Sequence, residues 1–185
     1  MKKLAFLTAS VVSALFVSQA FAASDNTITF QGEVTAETCS VTINGNSANP
    51  LVLLPSVSAS DLLKSGDVKG ATTFEIGVSG CTGKTDDVST TTISTVFSGN
   101  SVSTAGNLTN VAATNGAKNV EIQILQPDGK TWIDFNKGTF KATGDLSLKG
   151  KATSASSIYT AQYFATDAAS AGAVEATLQY AVSYN

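Results

Sequence analysis

The sequence predicts an all-β fold, a sandwich of two sheets, from three observations. Short segments in which apolar and polar residues alternate recur along most of the chain, and this period of two is typical of half-buried strands. Turn residues such as Asn-Gly and Pro-Asp-Gly separate these segments. A single short stretch has the start and stop signals of a helix. With 185 residues, the chain has room for one domain of this kind.

The first 22 residues have the pattern of a secretory signal peptide. Two lysines, Lys2 and Lys3, precede an apolar run over residues 4–17, and a motif of two small residues ends at Ala22. The run is shorter than the roughly 20 apolar residues of a membrane-spanning helix. We therefore predict cleavage between Ala22 and Ala23 and export of the remaining chain.

Residues 23–36 form a candidate N-terminal arm that ends just before Cys39. Within it the stretch from Thr27 to Thr35 alternates strictly, which would place four residues on one face of a strand. These are Ile28, Phe30, Gly32 and Val34. Such a strand can pair with a neighbouring molecule, or it can be the first edge strand of its own sandwich with Gly32 at a bulge.

Composition limits the classes of partner and chemistry. Without Lys2 and Lys3 the exported chain has nine Lys, no Arg and 14 acidic residues, a net charge of −5. A chain with no Arg and no basic run is not expected to bind nucleic acid. Cys39 and Cys81 are the two cysteines, and export favours a disulfide bond between them. Because the chain has no His, we predict neither a metal site nor a cofactor.

The domain is predicted to occupy residues 37–185. About six strands are expected in it, besides the arm, at the spacing of an immunoglobulin-like sandwich, and no later strand follows to close the sheet. The expected elements are strands at Ser40–Ile43, Leu51–Leu54, Thr72–Val78, Thr91–Phe97, Ser157–Thr166 and Ala173–Asn185, a short helix at Ser58–Gly66, and a hairpin over Val120–Phe135.

The acidic residues do not suggest catalysis. Asp86 and Asp87 are adjacent in a polar loop, and Asp128 lies in a Pro-Asp-Gly turn. Asp86 and Asp87 lack the further oxygen ligands that a cation site needs at fixed spacing. Neither Asp128 nor Asp134 has a His, an Arg or a second carboxylate at a spacing used in acid–base chemistry. We therefore do not predict an enzyme. The stretch from Val88 to Gly116 is rich in Ser and Thr, and beyond one strand its path is not predicted.

Five motifs, in this order and behind a signal peptide, resemble those of the pilin subunits of the chaperone–usher pathway, in particular the major rod subunit of type 1-like fimbriae. They are Phe30-Gln31-Gly32-Glu33-Val34 before Cys39, Gly80-Cys81, Val120–Leu125 before a Gly turn, Tyr163-Phe164-Ala165-Thr166 and Tyr180-Ala181-Val182-Ser183-Tyr184. The resemblance covers essentially the whole exported chain, except for the Val88–Gly116 stretch.

The resemblance implies an incomplete immunoglobulin-like sandwich that lacks its final strand and has an apolar groove in its place. In the family a periplasmic chaperone fills this groove first and an outer-membrane usher exports the subunit. The arm of the next subunit then replaces the chaperone, a standard example of strand addition to a sheet edge. Ile28, Phe30, Gly32 and Val34 would enter the groove of a neighbour. Tyr184 and Asn185 would lie where the chaperone anchors the chain.

The resemblance also implies a location and a role. The chain would be a structural subunit of a surface fimbria, polymerising with neighbouring subunits and contributing to cell adhesion as the fibre shaft. A minor adaptor or tip subunit, which shares the fold, is the alternative. A glycan-binding adhesin is less favoured because it would need a lectin domain ahead of the pilin domain.

Overall fold

Eight strands form two antiparallel sheets in the part of the chain that the computed structural model describes, residues 39–184 except Gly83. The strands are β1 Ser40–Ile43, β2 Val68–Ser79, β3 Thr90–Gly99, β4 Leu108–Thr109, β5 Val120–Leu125, β6 Phe140–Lys149, β7 Ala155–Ala165 and β8 Leu178–Tyr184. All of them belong to a unit that spans residues 33–185. The predicted signal peptide and the arm over residues 23–36 lie outside the described residues.

The two sheets have five and three strands. The five-stranded sheet has the order β1-β2-β7-β5-β4, and the three-stranded sheet has the order β6-β3-β8. Inward-facing side chains of both sheets form one core, with an aromatic cluster of Phe74, Phe97 and Tyr159 at its centre. The Tyr159 ring stacks on Phe74 at 5.9 Å and meets Phe97 edge-on at 5.0 Å. The predicted all-β sandwich is confirmed.

Several elements form where the alternation and turn residues predict them. Ile43 ends β1, and the turn that follows has positive φ at Asn44 (49°) and Gly45 (77°), as an Asn-Gly pair permits. β2 and β3 contain the predicted strands and extend them by a few residues, and β7 begins two residues before the predicted strand and ends one residue before its predicted end.

The predicted helix at Ser58–Gly66 is shorter than expected. Its Ser58 cap is present, since the hydroxyl accepts a hydrogen bond from the Ser60 N–H at 3.3 Å. The helical residues are only Ala59–Asp61, in a 3₁₀ turn. Asp67 ends this region because its carboxylate accepts from the N–H groups of Leu63 and Lys64, both at 3.0 Å, which draws the chain into a turn before β2.

Two predicted strands are wrong. Residues 51–54 are not a strand buried on both faces; Leu51 and Leu53 are 72% and 76% exposed, and the described structure offers this segment no backbone partner. The second half of the 120–135 hairpin is not a regular strand, although the hairpin turn forms: the Gln126 N–H donates to the Thr131 carbonyl and the Ile133 N–H to the Ile124 carbonyl, both at 2.8 Å. This half makes one bridge, Leu125 to Trp132, and then turns into a 3₁₀ helix at Phe135–Lys137.

Sequence reasoning missed β6 and β4. β6 contains Gly144, with φ of 69°, where the pairing with β3 shifts between Ile93 and Thr95. A β-bulge of this kind breaks the alternation on which recognition depends. β4 is only two residues long and lies in the Ser- and Thr-rich stretch. Among the described residues, no helix is long and apolar enough to cross a membrane.

Candidate functional site

β8 is an open sheet edge. It pairs with β3 on one side and, within the described chain, with no strand on the other. Its sequence, Leu-Gln-Tyr-Ala-Val-Ser-Tyr, contains no charge, Pro or Gly. Exposed edges of this kind readily accept another strand.

The other described edge strands are protected. β1 is four residues long and β4 is two. β6 is as long as ten residues, but it carries Lys141 and Lys149, a bulge at Gly144 and the inward-turned Asp145. Short length, charges and bulges all discourage pairing with a second chain. β8 is therefore the edge best suited to strand addition.

An apolar groove with a volume of about 420 Å³ runs beside β8. One wall is the segment from Pro50 to Leu54, and the other is the segment from Val174 to Tyr180. The floor between the two walls consists of side chains of the core. They are Ile43, Phe74, Phe97, Leu108, Ile122, Ile124, Ala161 and Tyr163.

Within the described part of the chain, each wall has backbone groups for which the structure shows no hydrogen-bonding partner. Among the described residues no backbone hydrogen bond links the chain from 51 to 57 to another segment, and β8 is paired on one side only. Unpaired N–H and C=O groups need partners when they are covered. An inserted strand would therefore find hydrogen-bonding groups on β8 as well as apolar contacts below.

The side chains of β8 alternate along its full length. Leu178, Tyr180, Val182 and Tyr184 pack against the core, whereas Gln179 and Ala181 are exposed. The strand begins at Leu178, five residues later than predicted. At the predicted start Ala173 makes a parallel bridge to Gly116, so the first part of the segment forms the wall of the groove without being a strand.

Charge is scarce in the groove. Among the described residues that line the groove, Glu175 is the only charged one, and its side chain is exposed. Burial raises the pKa of the Tyr163 hydroxyl above its ordinary value, so this lining group stays neutral. A strand with apolar side chains on one face matches such a surface, and a buried unpaired charge would not.

The disulfide bond predicted between Cys39 and Cys81 is present. It joins the start of β1 to the residues after β2, and the Cys39 N–H donates a hydrogen bond to the Tyr184 hydroxyl at 2.9 Å. Cys39, the first described residue, therefore lies next to the end of β8. Asn185 lies outside the described residues.

Removing this disulfide by Cys39→Ser together with Cys81→Ser should lower the free energy of unfolding by about 4 kcal/mol, because the bond closes a long loop in the unfolded chain. The residues are separated by 42 positions. Urea unfolding of the substituted protein, compared with the unsubstituted protein, measures the loss. An unchanged midpoint would contradict the expectation.

The other acidic candidates stabilise loops. Asp86 accepts hydrogen bonds from the backbone and hydroxyl of Ser89 and from the Val88 N–H, which lower the pKa of its carboxyl. Asp128 has its pKa lowered in the same way by Thr131 and Lys130. In the described part of the chain no three His, Cys, Asp or Glu residues are grouped so as to hold a metal ion.

The triplet Asn107-Leu108-Thr109 is not available for N-glycosylation in the folded domain. Asn107 is 1% exposed. Its amide group donates to Glu121 at 3.1 Å, and its carbonyl accepts from Gln123 at 3.3 Å. Both ends of the side chain are therefore engaged in the interior.

Comparison with known proteins agrees with this geometry. The family described as "Fimbrial: Fimbrial protein" matches residues 28–185. The chain belongs to the fimbrial protein family. The F17 fimbrial protein of Escherichia coli is 38% identical over 187 residues, covering 100% of this chain and 99% of that protein. The major fimbrial subunit SMF-1 of Stenotrophomonas maltophilia is 34% identical, with 88% and 94% of the two chains covered.

The fimbrial chain also shares its fold with a solved chaperone–usher pilus whose structure addresses rod uncoiling. The TM-score is 0.56 at 18% identity, over 89% of this chain and 98% of that one. The predicted incomplete immunoglobulin-like sandwich is thus confirmed. Members of the family are surface fimbrial components that polymerise with neighbouring subunits. The sequence analysis placed the last strand, β8, at the site, but it did not identify the floor of the groove or the Pro50–Leu54 wall. The feature of the sequence that indicated the site was the absence of charge along β8.

Proposed function

We propose that this fimbrial subunit polymerises by donor-strand exchange, with the N-terminal arm of one subunit filling the groove of the next. The observation that carries the proposal is the groove itself. Among the described residues, an apolar floor lies between the uncharged strand β8, which is paired on one side, and a second segment that has no backbone hydrogen bond to another segment. A strand that is apolar on one face satisfies both surfaces at once.

The arm has the sequence that such a groove requires. Ile28, Phe30, Gly32 and Val34 would face the floor, and polar residues would face water. Burial of the three larger side chains is worth roughly 1.5–3 kcal/mol each. Each added hydrogen bond to β8 contributes about 0.5–1.5 kcal/mol. These terms together are comparable with the net stability of a domain, about 5–15 kcal/mol, so the joint would be long-lived.

The route to the surface follows from the same proposal. Residues 1–22 would direct export and be removed, leaving the 23–36 arm and the 37–185 domain. A periplasmic chaperone would cover the groove until assembly, because an empty apolar groove promotes aggregation. The chaperone would hold the chain at Tyr184 and Asn185, and an outer-membrane usher would pass it to the cell surface.

Within the fibre we assign the chain to the rod. A chain with both an arm and a groove can occupy every internal position of a homopolymer, and the rod contributes to adhesion as the shaft without enzymatic activity. A minor adaptor would also carry both parts. Electron micrographs of cells producing the subunit with its export machinery separate the two roles, since a rod subunit yields long fibres on its own and an adaptor does not.

Strand capture by the isolated domain tests the proposed function. A subunit lacking Ala23 to Thr35 is refolded, with its disulfide intact, in the presence of a fluorescent peptide spanning Ala23 to Ala36. We expect a stable one-to-one complex on a native gel, because the groove is intact and the peptide supplies the missing strand. A scrambled peptide of the same composition is the control. No preference for the natural peptide would overturn the proposal.

A further inference from the structure

The carboxylate of Asp145 joins the two sheets behind the groove. β6 turns it inward at the bulge that contains Gly144. Its Oδ1 accepts a hydrogen bond from the Thr95 N–H at 2.7 Å, and its Oδ2 accepts from the hydroxyls of Thr95 and Tyr159, both at 2.7 Å. Hydrogen bonds to an ionised acceptor are stronger than those between neutral groups.

The first connection leads to the floor of the groove. Tyr159 is fully buried, and its ring stacks on Phe74 and meets Phe97 edge-on. Phe74 and Phe97 both line the groove. Fixing the Tyr159 hydroxyl therefore limits how far this ring, and the two rings that rest on it, can shift.

The second connection leads to the edge that a donor strand would meet. Thr95 is fully buried on β3 and pairs with Val182 in β8. Because β6 is bulged at this point, the Thr95 N–H is satisfied by the Asp145 carboxylate. The carboxylate thus fixes the backbone of β3 directly behind the open strand.

We propose that Asp145 is a positioning residue for strand capture, which holds the floor of the groove through Tyr159 and its β8 edge through Thr95. The inference rests on the proposed function, since it concerns the groove as a strand acceptor. Asp145 is not among the residues that line the groove. Its effect on a bound strand is therefore indirect, through a preformed surface that need not reorganise on binding.

Tyr159→Phe is the main test because it removes one hydroxyl and keeps the ring. Asp145→Asn is the second variant, since it removes the charge and keeps the shape. Both are made in the subunit that lacks Ala23 to Thr35, and the complex with the fluorescent Ala23–Ala36 peptide is challenged with excess unlabelled peptide. Exchange should be about tenfold faster than in the unsubstituted domain, the equivalent of weakening a hydrogen bond to a charged group.

Ile133→Val is the matched control for general loss of stability. Ile133 is 1% exposed in the same core but does not line the groove. Urea unfolding midpoints are measured for every complex, and exchange rates are compared at urea concentrations equally far below each midpoint. Under these conditions the control should exchange like the unsubstituted domain, whereas Tyr159→Phe should remain faster.

The double variant tests whether the two residues act together. Because Asp145→Asn already disturbs the carboxylate that holds the Tyr159 hydroxyl, the Asp145→Asn, Tyr159→Phe double variant should exchange little faster than Asp145→Asn alone, since the effects of coupled residues are not additive. Exchange of Tyr159→Phe at the rate of the Ile133→Val control would overturn the inference, and so would fully multiplicative effects. If Asp145→Asn fails to refold, the exchange rate of Tyr159→Phe relative to the Ile133→Val control decides whether the inference holds. Failure of the unsubstituted domain to capture peptide would instead reject the proposed function.

Discussion

Phe30→Asp should abolish polymerisation of the full-length subunit. By the alternation of its sequence, the arm would have Phe30 on the face that we propose enters a neighbour's groove. A carboxylate there would be buried without a partner in a groove whose floor is apolar, at a cost of several kcal/mol. Native gels and electron microscopy of refolded subunits, scored for polymer, measure the effect.

Gln31→Asp is the matched control, since it adds the same charge one position along the arm. Gln31 belongs to the polar face of the alternation, so its substitution should leave polymer formation nearly unchanged. Equal loss of polymer in both variants would contradict the proposed orientation of the arm. Normal polymer from Phe30→Asp would show that the arm is an ordinary strand of its own domain.

Ala161→Phe should abolish strand acceptance and leave strand donation intact. Ala161 lies on β7 at the floor of the groove, and a ring at this position would occupy space that the donor side chains need. The domain should still fold, although overpacking can cost about 1–3 kcal/mol. Capture of the fluorescent Ala23–Ala36 peptide by the arm-deleted domain reports the loss.

Ala181→Phe controls for the added ring. Ala181 is exposed on the outer face of β8, so the same substitution there leaves the floor open. We expect this variant to capture peptide like the unsubstituted domain. Capture by Ala161→Phe at the control level would show that the peptide binds elsewhere.

The local sequence predicts strands well where alternation is unbroken. β2, β3, β7 and the inward-facing residues of β8 follow the pattern of apolar and polar positions. β6 was not predicted because the bulge at Gly144 changes the phase of its alternation. Asp145, the residue for which we propose the most specific role, looks like an ordinary surface acid in the sequence because its inward orientation depends on that bulge.

The groove could be anticipated only in part. The resemblance to pilins implied an open groove, but the apolar run at Leu51–Leu54 was interpreted as a buried strand. In the described structure this segment has exposed leucines and no backbone partner, and it forms one wall of the groove. A segment that is covered by its own domain and a segment that is covered by another molecule have the same apolar composition. The local sequence pattern therefore cannot distinguish a buried strand from the wall of an open groove.

Mixing two assembly-defective subunits tests the central claim most directly. The subunit lacking Ala23 to Thr35 keeps its groove and has no arm, whereas full-length Ala161→Phe keeps its arm and has a filled groove. Neither should polymerise alone. Refolded together, they should form a one-to-one complex that does not grow further, because the arm of one subunit fills the groove of the other. The complex then has neither a free arm nor an open groove. Size-exclusion chromatography with light scattering measures its mass. Long polymers from the mixture, or no complex at all, would contradict donor-strand exchange between the arm and the groove beside β8.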